Sequence, residues 1–262
     1  MKYDGKQIAS EKLQELGKSV KKHDVTPKLV SFVVGNSEGA MKYQKMKQKT
    51  AGEVGCELVI ETVSSRAKAD EITTKIKKLN TDSTVHGIMV QLPLPFAFSD
   101  RQKQTIIDTI DPFKDVDCMR DESVYVAPVV MAVEEALNAG LKTTGIKNPE
   151  ILVVGSRGFV GSKIFTRLKQ LGFKKIKGVD VDTPNWHKRS VHADILVSAV
   201  GKANLIGPNM VKEGAILIDV GAPKSDFAES CYKKCEFYTP VPGGIGPMTI
   251  YFLMENLVKS VQ

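Results

Sequence analysis

Cysteine is scarce in this sequence. Cys56, Cys118, Cys231 and Cys235 are the whole supply in 262 residues. That is too few for a disulfide framework and excludes a stapled secreted mini-domain. Cys231 and Cys235 are four apart and would share a helix face. No second Cys or His pair at zinc spacing accompanies them, so they read as reduced thiols with no metal. Aromatic residues make up only 6%. Tyr43 is the one ring among the lysines at 42–49, so the interleaved stacking platforms of a single-strand nucleic-acid binder are missing. No apolar run approaches the ~18 residues of a membrane helix. Residues 1–22 are charged throughout with no apolar h-region, so no signal peptide is expected and the cytoplasm is the expected compartment. His23, His86, His187 and His192 show no nucleophile-and-base pattern. Repeats and low-complexity segments are absent.

What is present is ordinary for a globular enzyme. Hydrophobic residues reach 42% and charged residues 26%, with 21 Gly and 12 Pro, values that exclude wholesale disorder, collagen and coiled coil. The length suits one large α/β domain or two small ones. The formal net charge is +7, and the surplus sits at the front: residues 1–80 hold 16 basic and 10 acidic side chains. A basic surface attracts nucleic acid, anionic lipid or a small polyanionic substrate, and it also fits a slightly basic enzyme with no such partner.

Hydrophobic periodicity orders the chain. Residues 7–22 place Ile8, Leu13, Leu16 and Val20 at helical spacing. Lys28–Val34 (KLVSFVV) reads as a buried strand ended by Gly35-Asn36, and Ser37 with Glu38 reads as the start of a helix that Gly55 stops. A strand over 58–63, a helix over 67–79 and a strand over 85–91 follow, the last blocked by Pro93 and Pro95. Alternation of this kind predicts a parallel sheet with crossover helices. Residues 112–128 read as loop and 129–139 as a helix closed by Gly140. Strands are then expected at 150–154, 175–181, 193–200, 215–220 and 236–238, with a final helix over 247–261. The expected division is an N-terminal unit, 1–127, joined by the C-terminal helix, 245–262, and a second unit over 128–244.

Five motifs are candidates for chemistry. Gly155, Gly158 and Gly161 follow a strand and open a helix, where backbone N–H groups can meet a pyrophosphate. Asp180 and Asp182 lie at the end of the next strand, where a ribose-binding acid is expected. A tight turn without a ligand is the competing reading. Tyr43 and Lys47 project from one helical face, and a desolvated lysine can exchange a proton near neutrality. From spacing alone the stronger reading is that Lys42, Lys45, Lys47 and Lys49 form a solvated basic face, as such runs usually do. Gln91 ends a strand, where open α/β sheets place ligands, or is simply polar beside a rigid turn. Asp115 and Asp117 in Lys114-Asp-Val-Asp have no ligand cluster nearby; one of them suits a cationic or amide-bearing ring, and a loop that caps a helix is the competing reading. Thr239–Thr249 packs three glycines and three prolines into a fixed loop with free backbone N–H groups. Trp186 is single, in a polar stretch, and suits packing on an adenine or anchoring at the surface.

Tyr43-x-x-x-Lys47, Val90-Gln-Leu-Pro-Leu-Pro95, Lys114-Asp-Val-Asp117, Ile218-Asp-Val-Gly221 and Pro240-Val-Pro-Gly-Gly-Ile-Gly-Pro-Met-Thr249 occur in one order along the chain. Together they resemble the methylenetetrahydrofolate dehydrogenase/methenyltetrahydrofolate cyclohydrolase family over nearly its whole length. The resemblance implies an α/β fold with a folate-binding domain, a Rossmann-like cofactor domain and a cleft between them. It implies oxidation of 5,10-methylenetetrahydrofolate by NAD or NADP and hydrolysis of the product to 10-formyltetrahydrofolate, in a homodimer with no metal. By position it makes Lys47 the key group of hydrolysis, has Tyr43 stack on the folate, pairs Gln91 with Lys47 and sets Asp117 on the pterin. It extends the substrate site to Leu92, Pro242, Gly243 and Gly244. The cofactor site takes Gly155, Ser156, Arg157, Gly158, Val160, Gly161, Asp180, Asp182, Ala199 and Gly201.

The departures from the family pattern are specific. Ala40 stands where a serine is usual, three residues before the tyrosine. Cys118 replaces the glycine after Asp117, and Ala127-Pro128-Val-Val-Met131 replaces a proline–cysteine–threonine–proline segment. In the cofactor turn, Ser156 and Arg157 are exchanged relative to the usual Arg-Ser. Val179-Asp-Val-Asp182 replaces the stretch that meets a 2′-phosphate, which leans to NAD, whereas the family prior leans to NADP. Arg157 or Lys163 could still reach a 2′-phosphate. Two rival functions follow: a monofunctional methylene-tetrahydropterin dehydrogenase, and a non-catalytic NAD(P)-binding regulatory protein.

Overall fold

The computed structural model describes residues 1–35 and 38–261. The expected helix start at Ser37 and the strand end at Asn36 lie outside the described residues. The chain divides into two compact units, residues 10–128 with 250–262 and residues 1–9 with 129–249.

The first unit is built on a parallel sheet of three strands in the order β2-β1-β3. Strand β1 (Lys28–Val34) is buried at its five central positions, as an apolar run covered on both faces must be. It pairs with β2 (Glu57–Val63) and with β3 (Gly87–Val90), Ser31 lying opposite Met89. Between β1 and β2 the chain forms α2 (Glu38–Val54), which buries Gln44, Lys47, Ala51 and Val54 along one stripe. Helix α1 (Gly5–Val20) precedes β1, and α3 (Ala69–Thr81) crosses from β2 to β3. Helix α4 (Asp100–Asp108) has no counterpart in the sequence reading. Its signal was an S-x-x-Q capping box: Ser99 Oγ accepts from Gln102 N at 3.2 Å and Gln102 Oε1 accepts from Ser99 N at 2.9 Å.

The second unit carries a five-stranded parallel sheet, order β5-β4-β6-β7-β8. Its strands are β4 (Ile151–Val154), β5 (Ile176–Val179), β6 (Ile195–Ser198), β7 (Ile216–Asp219) and β8 (Phe237–Tyr238). Helix α5 (Pro128–Thr144) leads into it, α6 (Phe159–Gln170) joins β4 to β5 and α7 (Trp186–Ser190) precedes β6, while α8 (Ile245–Lys259) starts in this unit and from Ile250 onward packs in the core of the first. Gly140 does not end α5 as expected. A Cβ there would stand 3.0 Å from both Ile216 Cγ2 and Phe237 Cδ1, so the glycine allows close packing on the sheet. Trp186 is not a surface anchor: it is buried at 6% exposure in the core beside Val179, Leu196 and Phe227. Cys231 lies in a 3-10 turn, Glu229–Lys233, that ends before Cys235, so the two thiols do not share a helix. The first nine residues also depart from expectation. Tyr3 N donates to Tyr238 O and Lys6 N to Gly243 O, both at 2.9 Å, which ties the N-terminus to this unit.

Among the described residues, no helix is long and apolar enough to cross a membrane, and no group of three His, Cys, Asp or Glu side chains could hold a metal.

Candidate active site

In the first unit the site forms where side chains of α2 reach the end of β3. In-register neighbours of a parallel sheet point to the same face, so Ser31 and Met89 share one, and alternation returns Gln91 to it. Lys47 Nζ lies 3.8 Å from Met89 Sδ, and Gln44 Nε2 donates to Gln91 Oε1. Residues running forward along α2 thus meet residues running backward along β3, as an antiparallel crossover helix requires. The basic run at 42–49 is only partly a solvated face. Lys42, Lys45 and Lys49 are exposed, whereas Lys47 keeps 4% exposure.

The ammonium of Lys47 sits 4.6 Å from the centroid of the Tyr43 ring, a cation–π distance. Burial lowers its proton affinity below the ordinary lysine range, and the Asp117 carboxylate opposes that shift in part. Burial and the same carboxylate push the Tyr43 phenol up, so it stays protonated. Tyr43, Lys47 and Asp117 are therefore one electrostatic group: a proton-exchanging amine, a ring and an anion. Asp115, the other carboxylate of the pair, is fully buried and accepts from Met119 N at 2.9 Å and Arg120 N at 3.0 Å, which holds the turn that presents Asp117.

Gln91 is not hydrogen-bonded to Lys47. Its oxygen accepts from Gln44, and its nitrogen donates to Leu92 O at 2.6 Å, just before the cis Leu92–Pro93 bond. Gln44 was not singled out from the sequence. Its signal was a carboxamide at a position of the buried α2 stripe.

Pro242, Gly243 and Gly244 belong to the second unit. Gly244 N donates to Pro240 O at 2.8 Å, and a Cβ on Gly5 would fall 2.1 Å from Gly244 O, so the N-terminal segment braces this loop. Gly243 has φ +104°, open to glycine and costly for any other residue.

The turn after β4 fits a dinucleotide. Gly155 has φ +86°, and a Cβ on Gly161 would lie 2.0 Å from Gly155 O, so both positions exclude side chains. Gly158 caps α6, whose first turn, with Val160, offers backbone N–H groups to a phosphate. Asp180 accepts from Arg157 Nε at 2.8 Å, Arg157 N at 3.2 Å and Ser156 Oγ at 3.3 Å, while Asp182 takes Arg157 Nη2. Both carboxylates raise the proton affinity of Arg157, and its guanidinium holds Asp182 below the usual carboxylate range.

A second carboxylate pair shapes the Ala199–Gly201 turn. Asp226 Oδ2 accepts from Ser198 Oγ at 2.7 Å, Val200 N at 2.9 Å and Gly201 N at 3.2 Å. Asp219 accepts from Gly221 N, Ser225 Oγ and Asp226 N. Burial, ahead of the hydrogen bonds that oppose it, pushes the Asp219 carboxyl up from 3.8 to about 6. The folded state then holds a proton that the unfolded chain releases. Its contribution is complete below 3.8 and is lost as pH rises through about 6, a change of ~3 kcal/mol. Urea midpoints measured across this range should fall with pH less steeply in Asp219→Asn than in the parent; an identical slope would remove Asp219 as the cause.

Residues 3–117 match the family model described as tetrahydrofolate dehydrogenase/cyclohydrolase, catalytic domain, and residues 130–262 match the NAD(P)-binding domain of the same description. The bifunctional protein FolD of Bacillus pumilus (strain SAFR-032) is 34% identical over 280 residues, spanning 99% of this chain and 96% of that protein. The crystal structure of bifunctional FolD from Campylobacter jejuni superposes with a TM-score of 0.90 at 30% identity, covering 100% of this chain and 98% of that one. The Trypanosoma brucei enzyme, solved with NADP cofactor and inhibitor, gives 0.86 at 25% identity, covering 100% and 97%.

Proposed function

The chain belongs to the tetrahydrofolate dehydrogenase/cyclohydrolase family, and on that premise we propose that Lys47 is the group through which it performs hydrolysis. The enzyme oxidises 5,10-methylenetetrahydrofolate to 5,10-methenyltetrahydrofolate with NAD(P) and hydrolyses the product to 10-formyltetrahydrofolate. The observation that carries the assignment to Lys47 is a lysine at 4% exposure, held over the Tyr43 ring with its proton affinity lowered by burial.

The chemistry follows from these side chains. Tyr43 stacks on the folate, and Asp117 accepts from ring N–H groups of the pterin. The bound nicotinamide supplies the hydride acceptor, and loss of hydride leaves an electrophilic methenyl carbon. Lys47, as the neutral amine, takes a proton from the water that adds to that carbon. As the ammonium it returns that proton to N5 when the bond from carbon to N5 breaks, and the carbinol oxygen sheds its remaining proton to solvent, leaving the formyl group on N10. Gln91 and Leu92 orient the substrate. Gly155, Ser156, Gly158, Val160, Gly161, Ala199 and Gly201 hold the dinucleotide, and Asp180 accepts from its ribose. With a carboxylate pair occupying Arg157, the site favours NAD over NADP.

We also infer a homodimer in the cytoplasm. The edge position of β5 supports the first, because one side of that strand has no strand neighbour among the described residues. The four free cysteines support a reducing compartment.

The test is to mix the protein with methylenetetrahydrofolate and either nucleotide, following the nicotinamide and methenyl chromophores separately, and to weigh it by light scattering. Reduced nicotinamide should accumulate while the methenyl signal rises and decays, and the mass should be twice 28.7 kDa. A methenyl signal that persists as it does without enzyme would favour the monofunctional rival. Cofactor binding without turnover would favour the regulatory one.

A further inference from the structure

Gln44 is completely buried on α2, with its Oε1 lacking any hydrogen-bond partner. Ser31, on the sheet face that α2 covers, is likewise buried with an unpartnered hydroxyl. A carboxamide buried this way is a liability, because an aliphatic side chain of the same size would pack without an unmet acceptor. The stability of α2 therefore does not explain Gln44. What Gln44 does do is donate to Gln91 Oε1. That bond, together with Gln91 Nε2 donating to Leu92 O, fixes which way the Gln91 carboxamide faces and leaves one Gln91 N–H unspent. Gln44 also lies one helical turn after Ala40, three residues before Lys47 and next to Tyr43. Gln44 projects its carboxamide from the same buried stripe as Lys47.

We propose that Gln44 is a positioning residue of the hydrolytic site, orienting the Gln91 carboxamide beside Lys47. This rests on the roles assigned to Lys47 and Gln91. If Lys47→Met hydrolyses normally, those roles fall and this one with them. If Lys47→Met is inactive, the Gln44 variants decide this proposal alone.

Two variants are informative. Gln44→Met keeps length and burial but cannot donate, so kcat for hydrolysis should fall about tenfold, the size of one lost buried hydrogen bond. The KM for the dinucleotide should not move, and the melting temperature should hold or rise, since the unmet acceptor is gone. Gln44→Glu donates to Gln91 only while its carboxyl is protonated. Once ionised it can only accept, which forces the Gln91 carboxamide to turn over and lose Leu92 O. Hydrolysis by Gln44→Glu should therefore approach the parent rate at acid pH and gain a falling limb as pH rises, a limb absent from Gln44→Met. Parent-like kcat and pH profile in both variants would overturn the proposal. So would a fall in melting temperature accompanied by equal losses in both activities, the signature of a purely structural residue.

Discussion

A Lys47→Met variant should lose hydrolysis of methenyltetrahydrofolate by about 10³-fold or more, within the range that general acid–base groups contribute, while still reducing nicotinamide within about tenfold of the parent. The asymmetry follows from the two reactions. Hydride departure from the methylene carbon needs no proton acceptor, whereas water addition followed by C–N cleavage needs a proton taken and returned. Lys47→Arg keeps the positive charge but cannot give up its proton in this pH range, so it should fail as badly as methionine. In the parent, kcat for hydrolysis should rise with pH through a group titrating below the ordinary lysine range. The sign is set by burial, which disfavours the ammonium more than Asp117 favours it. Neither variant should show that limb. Stopped-flow decay of the methenyl chromophore across pH reads all of this directly, and undiminished decay in Lys47→Met would remove the lysine from the mechanism.

Much of this site was legible because its parts sit at fixed sequence intervals. Tyr43 and Lys47 are one helical turn apart, Gln91 ends an apolar strand, and Gly155, Gly158 and Gly161 punctuate a strand-to-helix junction. Local spacing places such residues before any tertiary contact is known. The burial of Lys47 was not legible. Its flanking lysines are exposed, and only the reach of α2 side chains to the end of β3 singles it out. Gln44 was invisible for the same reason, since a glutamine in a basic stretch reads as surface until the helix is docked. The hydrogen-bond partners of Gln91 were not legible, because a carboxamide can bond several neighbours and docking of α2 chooses Gln44 and Leu92 O among them. Gly140 shows the converse error: a stop signal by local rules became a packing site where α5 needed to approach Ile216 and Phe237. The segment 1–9 joined the unit of β8 through backbone bonds to Tyr238 and Gly243, which leave no side-chain pattern to read.

The other large effect concerns the choice of dinucleotide. Asp180→Ser should shift the ratio of kcat/KM for NADP over NAD by about 10²-fold toward NADP, several kcal/mol being the usual cost of opposing like charges. In the parent, Arg157, Asp180 and Asp182 form a cluster with one net negative charge, and both carboxylates are spent on the guanidinium. A ribose 2′-hydroxyl can still donate to Asp180, which is 15% exposed on its side chain. A 2′-phosphate would meet that carboxylate at close range and would have to compete with both acids for Arg157. Serine at 180 cancels the excess charge, keeps a hydroxyl for the ribose and frees the Nε edge of the guanidinium for a phosphate oxygen. Asp182 still holds Nη2, so Asp180→Ser combined with Asp182→Ser should move the ratio further than the single change. The losses should fall mainly on KM for NAD and the gains on KM for NADP, because hydride transfer itself takes place far from the ribose substituent. Initial-rate kinetics with each dinucleotide at saturating folate separates these terms. A ratio unchanged in both variants would show that the acids serve only to hold the turn between β5 and α7.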